Sequence, residues 1–196
     1  GTGMICHEFK CGIGTASRRV AAAGGHYTVG VLVQANYGMR DTLLVAGVPV
    51  GQRLRDDRVF SEEDPAAPDL GSIIIVVGTD APLLPHQLQR IARRAALGLG
   101  RMGGVAYNGS GDIFVAFSTA NAGALAGAPL AQSTSIGNDH LDPLFAATVF
   151  ATEEAIVNAM VAARDMTGND GQHAKAIPHD ALRRVLREYG RLQGAP

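Results

Sequence analysis

The sequence predicts an α+β protein in which helices cover layered sheets. The first half of the chain has the pattern of strands joined by tight turns, and the second half alternates strand, helix, strand and helix. A continuous apolar run, Ser72–Thr79, is typical of a strand buried on both faces. A long alanine-rich helix that begins at Asp142-Pro143 is apolar nearly all round, which favours a position between layers.

The first half contains one strong strand and several weaker elements. Residues 25–36 predict a strand, because β-branched residues nearly alternate with small or polar ones. Residues 43–45 and 48–50 predict short edge pieces, since Pro49 cannot donate a hydrogen bond to a neighbouring strand. Residues 51–70 predict a loop, because the stretch is charged, poor in apolar side chains and contains two prolines.

The second half begins with the buried strand, and a helix follows it. Apolar side chains recur at helical spacing in this helix: Leu88, Ile91, Ala92, Ala95 and Leu99. Gly98 and Gly100 suit its C-terminal end, and Asp80 is placed to cap its N-terminal end.

The remaining elements follow in the order loop, strand, excursion and two helices. Residues 103–112 predict a glycine-rich loop, residues 113–117 a second buried strand, and residues 121–138 a surface excursion of small and polar residues. The alanine-rich helix extends from Asp142 to about Met166, and a final arginine-rich helix covers about 180–189.

Composition limits the classes of protein to which the chain can belong. Its 196 residues, 46% of them hydrophobic, predict a single domain over 1–196 with a core of its own. The formal net charge is −1 and basic residues are not clustered, so we expect neither nucleic acid nor a membrane surface as a partner. No apolar run reaches the roughly 18 residues needed to cross a bilayer. The first residues lack the pattern of a secretory signal, and we therefore expect a cytoplasmic protein.

The two cysteines, Cys6 and Cys11, predict neither a disulfide framework nor a metal centre. Two thiols in a chain of this length fit a reducing compartment. Together with His7 they form part of a ligand set, but a structural zinc site takes four ligands and no second pair follows. We expect neither a metal ion nor another cofactor.

The dipeptide Gly71-Ser72 joins the polar loop to the apolar strand, and this junction is where a self-cleaving hydrolase would place its nucleophile. Cleavage before Ser72 would give this residue a free α-amine with a pKa near ~7.7–8.0. Such an amine can act as a general base for the neighbouring hydroxyl. The alternative is that Ser72 merely begins a strand after a glycine turn.

Three segments, at 28–38, 69–88 and 108–121, together resemble one peptidase family: the L-aminopeptidase/D-amidase-esterases and β-aminopeptidases, or DmpA-like serine aminopeptidases. The second segment contains the Gly-Ser junction, and the third contains Asn-Gly-Ser-Gly-Asp. The opening residues 1–18 and the stretch 138–156 resemble the same family. The resemblance therefore extends over nearly the whole chain.

The resemblance implies an αββα sandwich, a fold shared with the ornithine acetyltransferases. It also implies self-cleavage into residues 1–71, the C-terminal part of an α subunit, and residues 72–196, a β subunit that stays bound to the first piece. Members of the family release N-terminal L-, D- or β-amino acids from small peptides, amides or esters, and they form homo-oligomers. Their further N-terminal segment contributes to the first sheet and supplies a tyrosine that supports the oxyanion, a role to which no tyrosine here is assigned.

The same resemblance assigns roles to four side chains. Ser72 is the nucleophile, and the amide of Asn36 donates to the oxyanion, as an acyl-transfer transition state requires. Ser110 and Asp112 form a serine–carboxylate pair that assists proton transfer. Other interpretations remain: Asn36 as a turn residue, and the 103–112 loop as a plain turn or a phosphate cradle, although it lacks the usual phosphate-binding patterns.

Two other functions remain open alongside the aminopeptidase. An acyltransferase of the ornithine acetyltransferase type shares the fold and the self-cleavage, but its nucleophile is usually threonine, and this chain has Ser72. A non-catalytic α/β module, or an inactive fragment of the enzyme, needs no self-cleavage at all.

Overall fold

A four-stranded sheet with helices on one face forms the centre of the computed structural model, which describes residues 1–59, 71–124, 127 and 129–192. The strands are β1 (Ile5–Cys6), β2 (Phe9–Lys10), β3 (Ile13–Ala22), β4 (Gly25–Asn36), β5 (Ser72–Thr79), β6 (Ile113–Ser118), β7 (Met166–Thr167) and β8 (His173–Ala174). The α-helices are α1 (Val50–Arg53), α2 (Pro85–Arg101), α3 (Asp142–Val161) and α4 (His179–Glu188).

The central sheet has the strand order β3-β4-β5-β6. The first two pairs are antiparallel and the β5–β6 pair is parallel. Helix α2 connects the two parallel strands, as a parallel pair requires a crossover. The predicted class, strands and helices layered on one another, is therefore the class that the structure shows.

One face of this sheet makes the core. Alternate residues of β4 and β5 point to this face and are buried under α2 and α3: Val29, Val31, Val33, Ala35, Ile73, Ile75 and Val77. The period of two along each strand puts the intervening residues on the other face.

The other face of the sheet is uncovered among the described residues. We call it the open face. Six large apolar side chains on it are 39–52% exposed: Ile13, Leu32, Ile74, Ile113, Val115 and Phe117. Among the described residues, β5 and β6 are therefore covered on one face only, and not on both faces as predicted, because the helices lie on one side of the sheet.

Helix α3 packs on β3 and β4 through a very close approach at Gly14. A Cβ at this position would lie 2.0 Å from the carbonyl oxygen of Ala155, so only glycine fits.

Helix α3 ends at Val161 and not near 166, because Met166 and Thr167 pair with β8 instead. Helix α3 is long and apolar enough to cross a membrane, contrary to our expectation. Buried core helices of globular proteins have the same length and hydropathy, and 56% of the most apolar stretch of α3 is buried inside the protein.

The segment after β4 folds differently from the predicted edge strands. Val45 and Val48 form an isolated bridge around a two-residue turn in which Ala46 and Gly47 both have positive φ, the geometry of a type I′ turn. Helix α1 then interrupts the predicted 51–70 loop at its start, and residues 60–70 of that loop lie outside the described residues.

Two local predictions are corrected by long-range contacts. Cys6 and Cys11 form a disulfide that closes the β1–β2 hairpin, with their Cα atoms 5.4 Å apart, so they are not the free thiols that we took to fit a reducing compartment. Asp80 does not cap α2, whose N-cap residue is Leu84. Its Oδ1 accepts a hydrogen bond of 2.7 Å from the backbone N–H of Thr28 in β4.

Candidate active site

The pairing of β4 and β5 brings Ser72 and Asn36 together. These two residues are direct partners at the end of the antiparallel ladder. Paired residues of an antiparallel ladder point to the same face, so both side chains lie on the open face of the sheet. Both are half-buried, which leaves them accessible at the edge of the core.

The Ser72 hydroxyl is held by the glycine-rich loop before β6. Its Oγ accepts a hydrogen bond of 3.0 Å from the backbone N–H of Gly111. This contact uses an oxygen lone pair and leaves the hydroxyl proton available for transfer to another acceptor. The parallel β5–β6 pair explains the proximity, because it places the start of β5 beside the loop that leads into β6.

Asp112 connects the same loop to the backbone of β5. Its Oδ1 accepts two hydrogen bonds, one of 2.7 Å from the Ser110 hydroxyl and one of 3.0 Å from the N–H of Ile73. The Ser110–Asp112 pair is therefore anchored one residue after Ser72. A carboxylate in this place can orient a hydroxyl proton and stabilise a nearby ammonium group.

The side chain of Asn36 is oriented by the N-terminal hairpin. Its Oδ1 accepts a hydrogen bond of 2.9 Å from the backbone N–H of Ile5 in β1. The amide oxygen is thus engaged, and the Nδ2 group points the other way with no hydrogen-bond acceptor among the residues that the structure describes. A fixed amide N–H₂ without a partner is a suitable donor for a developing oxyanion.

Gly71 lies directly against the end of β4. A Cβ at this position would lie 2.7 Å from the carbonyl oxygen of Asn36 and 2.9 Å from the Cα of Tyr37. Its φ is outside the left-handed region, so glycine is required here for close approach and not for unusual backbone angles. The backbone of Gly71 therefore lies against the backbone of Asn36, whose side chain is the candidate oxyanion donor.

Tyr37 lies on the core side of the sheet, next to the Gly71–Ser72 junction. Tyr37 is 6% exposed, and its hydroxyl has no hydrogen-bond partner among the described residues. Burial raises the pKa of Tyr37, and the charge of Asp112 raises it further. Tyr37, Gly71, Ser110 and Asp112 together line a small cleft beneath the junction.

The structure thus brings together all the residues that the sequence singled out: Asn36, Gly71, Ser72, Ser110 and Asp112. It adds the backbone N–H groups of Ile5 and Gly111, and the side chain of Tyr37, none of which local sequence patterns identify. Within the described ranges, no group of three or more histidine, cysteine, aspartate or glutamate residues is arranged to hold a metal ion.

Comparisons with known proteins agree on one family. The chain matches the model of peptidase family S58 over residues 1–174. It is 50% identical over 205 residues to the β-peptidyl aminopeptidase BapA of Sphingosinicella microcystinivorans, an alignment that covers 100% of this chain and 52% of that protein.

Solved structures give the same result. The L-aminopeptidase D-Ala-esterase/amidase of Ochrobactrum anthropi, described as a new variant among the Ntn hydrolase fold, aligns with a TM-score of 0.88 and 51% identity over 98% of this chain and 52% of that one. A β-aminopeptidase of Burkholderia sp. aligns with a TM-score of 0.83 and 49% identity over 96% of this chain and 52% of that one.

The chain spans about half the length of each of these relatives. The α+β fold class that the sequence predicts is confirmed by the structural likeness. The family match covers residues 1–174, a range that includes the Gly71–Ser72 junction and the whole central sheet. The protein belongs to peptidase family S58.

Proposed function

We propose that this chain forms part of a self-processing serine aminopeptidase in which Ser72 is the nucleophile. The observation that carries the proposal is the pairing of Ser72 with Asn36 on the open face, immediately after Gly71, which lies against the backbone of Asn36. Nucleophile, scissile carbonyl and amide donor then occupy adjacent positions on two hydrogen-bonded strands.

Self-cleavage follows from this arrangement in two steps. Ser72 Oγ attacks the carbonyl carbon of Gly71, the Gly71–Ser72 C–N bond breaks, and the proton of the hydroxyl is transferred to the departing nitrogen of Ser72. Water then hydrolyses the resulting ester, which restores the hydroxyl and leaves a carboxylate on Gly71. The Asn36 amide stabilises the oxyanion in both steps.

Turnover uses the amine that self-cleavage creates. The α-amine of Ser72, with an ordinary pKa near ~7.7–8.0, takes the hydroxyl proton as Oγ attacks a substrate carbonyl. The Asp112 carboxylate accepts a hydrogen bond from the backbone N–H of Ile73, the residue after Ser72. It therefore lies where it can stabilise the protonated α-amine of Ser72. The acyl group is then released by water, without a cofactor.

We propose small peptides and amino-acid amides as the substrates, with removal of the N-terminal residue. The names of two relatives support this class: a β-peptidyl aminopeptidase and an L-aminopeptidase D-Ala-esterase/amidase. The stereochemistry of the preferred residue, assembly into a homo-oligomer and a cytoplasmic location stay predictions.

The two pieces are expected to remain associated after cleavage. The cut falls between β4 and β5, which stay paired from Val29↔Thr79 to Asn36↔Ser72 and share the buried core. Separation of the pieces would expose that core to water, which opposes dissociation.

The mass of the denatured protein tests self-cleavage. We expect one piece that ends at Gly71 and another that begins at Ser72, whereas Ser72→Ala should stay intact and Ser72→Thr, which keeps a hydroxyl, should still cleave. Ser17→Ala, at an exposed serine of β3, is the matched control and should cleave like the parent chain. A folded sample that remains a single chain after long incubation contradicts the proposal.

Hydrolysis is measured separately, with amino-acid amides and short peptides in the presence of a chelator. We expect release of the N-terminal residue once the chain is processed and the family's N-terminal segment is supplied. Activity that a chelator abolishes and zinc restores would contradict the serine mechanism.

A further inference from the structure

Tyr37 lies beneath the Gly71–Ser72 junction and has no role in the proposed reaction. It directly follows Asn36, but it points to the core side of the sheet, and its hydroxyl is buried without a hydrogen-bond partner among the described residues. Leaving a buried hydroxyl unpaired costs free energy, so a native structure that retains one needs a reason.

The ring of Tyr37 is fixed in place by its neighbours. His7 packs edge-on against it, with ring centroids 4.9 Å apart and planes at 73°. The backbone N–H of His7 also donates a hydrogen bond of 2.8 Å to the carbonyl oxygen of Tyr37. Gly38 has a φ of 85°, and a Cβ there would lie 2.5 Å from the His7 ring, so the chain closes tightly over the pair.

Tyr37 and Asp112 both line one small cleft. Its lining includes Tyr37, Gly71, Ser110 and Asp112, and its volume of about 20 Å³ suits a single water molecule. Because burial and the charge of Asp112 both raise the pKa of Tyr37, the phenol stays protonated and acts as a donor.

The carboxylate has a free oxygen for this purpose. Asp112 Oδ1 accepts from Ser110 and Ile73, whereas Oδ2 has no hydrogen-bond partner among the described residues. An unpaired donor and an unpaired acceptor therefore belong to two residues that line the same small cleft. A buried water is stable where it can satisfy groups of this kind.

We propose that the cleft binds one water molecule, which accepts a hydrogen bond from the Tyr37 hydroxyl and donates one to Asp112 Oδ2. Tyr37 is then a positioning residue: it keeps Oδ1 of Asp112 directed at Ser110 and at the N–H of Ile73, and so fixes the start of β5 that carries Ser72. The effect of this water on catalysis rests on the proposed self-cleavage, but its presence in the cleft does not.

A direct bond to His7 is the competing arrangement. Burial lowers the pKa of His7 to about 4, so the ring is neutral, and its Nδ1 must carry the proton because it is 2.9 Å from the carbonyl oxygen of Met39. Nε2 is therefore an acceptor, and it too has no partner among the described residues. If Tyr37 donated to this nitrogen, its role would be structural only.

A crystal structure of the Ser72→Ala protein that resolves ordered waters tests the water site without requiring activity. We expect one water within hydrogen-bonding distance of the Tyr37 hydroxyl and of Asp112 Oδ2, and its loss or displacement in Ser72→Ala/Tyr37→Phe. A dry cleft with a Tyr37–His7 hydrogen bond overturns the proposal.

Kinetics tests the positioning role. We expect Tyr37→Phe to slow cleavage of the Gly71–Ser72 bond about tenfold in protein that is still fully folded at the assay temperature, because the change removes a hydrogen bond that supports a charged group. In the Asp112→Asn background the same change should have no further effect, because Tyr37 acts through this carboxylate. Tyr27→Phe, the same chemical change at the far end of β4, is the matched control and should leave the rate unchanged.

The outcomes separate this inference from the proposed function. If the parent chain cleaves and Tyr37→Phe cleaves equally fast, with a raised Tm, the positioning role is overturned and the nucleophile assignment stands. If the parent chain does not cleave, the proposed function fails and the water site is decided by the crystal structure alone.

Discussion

At the scale of single residues, the amide oxygen of Asn36 accepts a hydrogen bond, and its amide nitrogen is available to donate one. Ile5 fixes its oxygen, and its Nδ2 group has no acceptor among the described residues. We expect Asn36→Ala to slow self-cleavage and turnover by ~10²–10³-fold, in kcat more than in KM, because the charge that it meets develops only during attack.

The Asn36 variants also separate catalysis from a turn-forming role. Asn36→Asp should be at least as harmful as Asn36→Ala, since a carboxylate repels the oxyanion. If Asn36 were only a turn residue, Asn36→Gly would cleave normally, and the Ala variant would lower the Tm instead. Rates and melting temperatures of the three variants decide between the two, and an unchanged kcat in folded Asn36→Ala removes Asn36 from the site.

Some residues of the site could be predicted from the sequence and others could not. The Gly71-Ser72 junction is visible because an abrupt change from polar to apolar residues surrounds it. No local sequence pattern identifies the two backbone donors. The N–H of Ile5 is 31 residues from Asn36, and the N–H of Gly111 is 39 residues from Ser72. Backbone donors have no residue type to recognise, so only the fold reveals them.

At the scale of elements, the close approach between the end of β4 and Gly71 constrains the Gly71–Ser72 bond, which we propose is cleaved. The Cβ in Gly71→Ala would contact the backbone of Asn36 and Tyr37 at 2.7 and 2.9 Å, so one of the strands must move. We expect slower self-cleavage, on the order of 10²-fold, since displacements near 1 Å have effects of this size.

The matched control for this variant is Gly123→Ala, at a glycine where a Cβ meets nothing within 4 Å. Its cleavage rate and Tm should equal those of the parent chain. Normal cleavage in a folded Gly71→Ala protein, followed by the mass of the pieces over time, would show that the close approach is unimportant.

Helices and strands could be predicted where apolar residues recur at a regular spacing. They could not be predicted where a residue pairs with a partner far along the chain. The β4 and β5 strands and helix α2 follow from their apolar spacing. The end of α3 does not, because Met166 and Thr167 leave the helical pattern only to pair with residues 173 and 174. The role of Asp80 was missed for the same reason: its partner, Thr28, is 52 residues away.

At the scale of the whole molecule, the open face is the main departure from a closed core. Six large apolar side chains remain 39–52% exposed there, and the chain spans about half the length of its relatives. Continuous exposed apolar surface usually marks a contact. We expect the second layer of the αββα sandwich to cover this face.

Dye binding and self-association of the isolated chain test this expectation. We expect the chain to bind a hydrophobic dye and to self-associate, and Val115→Thr/Phe117→Thr to reduce both without lowering the Tm. The control, Leu97→Thr/Leu130→Thr, removes two apolar side chains that are 60% and 89% exposed elsewhere. Equal effects of the two double variants would show that the open face has no special affinity.

The register of β4 and β5 has a consequence for how the protein matures. Strand residues alternate between faces, so a slip of one position would turn Ser72 towards the core and away from the side of Asn36. In the proposed reaction, only molecules that reach the correct pairing cut themselves. The break before Ser72 would therefore be a covalent record of successful folding, by which mature copies can be distinguished from misfolded ones long after synthesis.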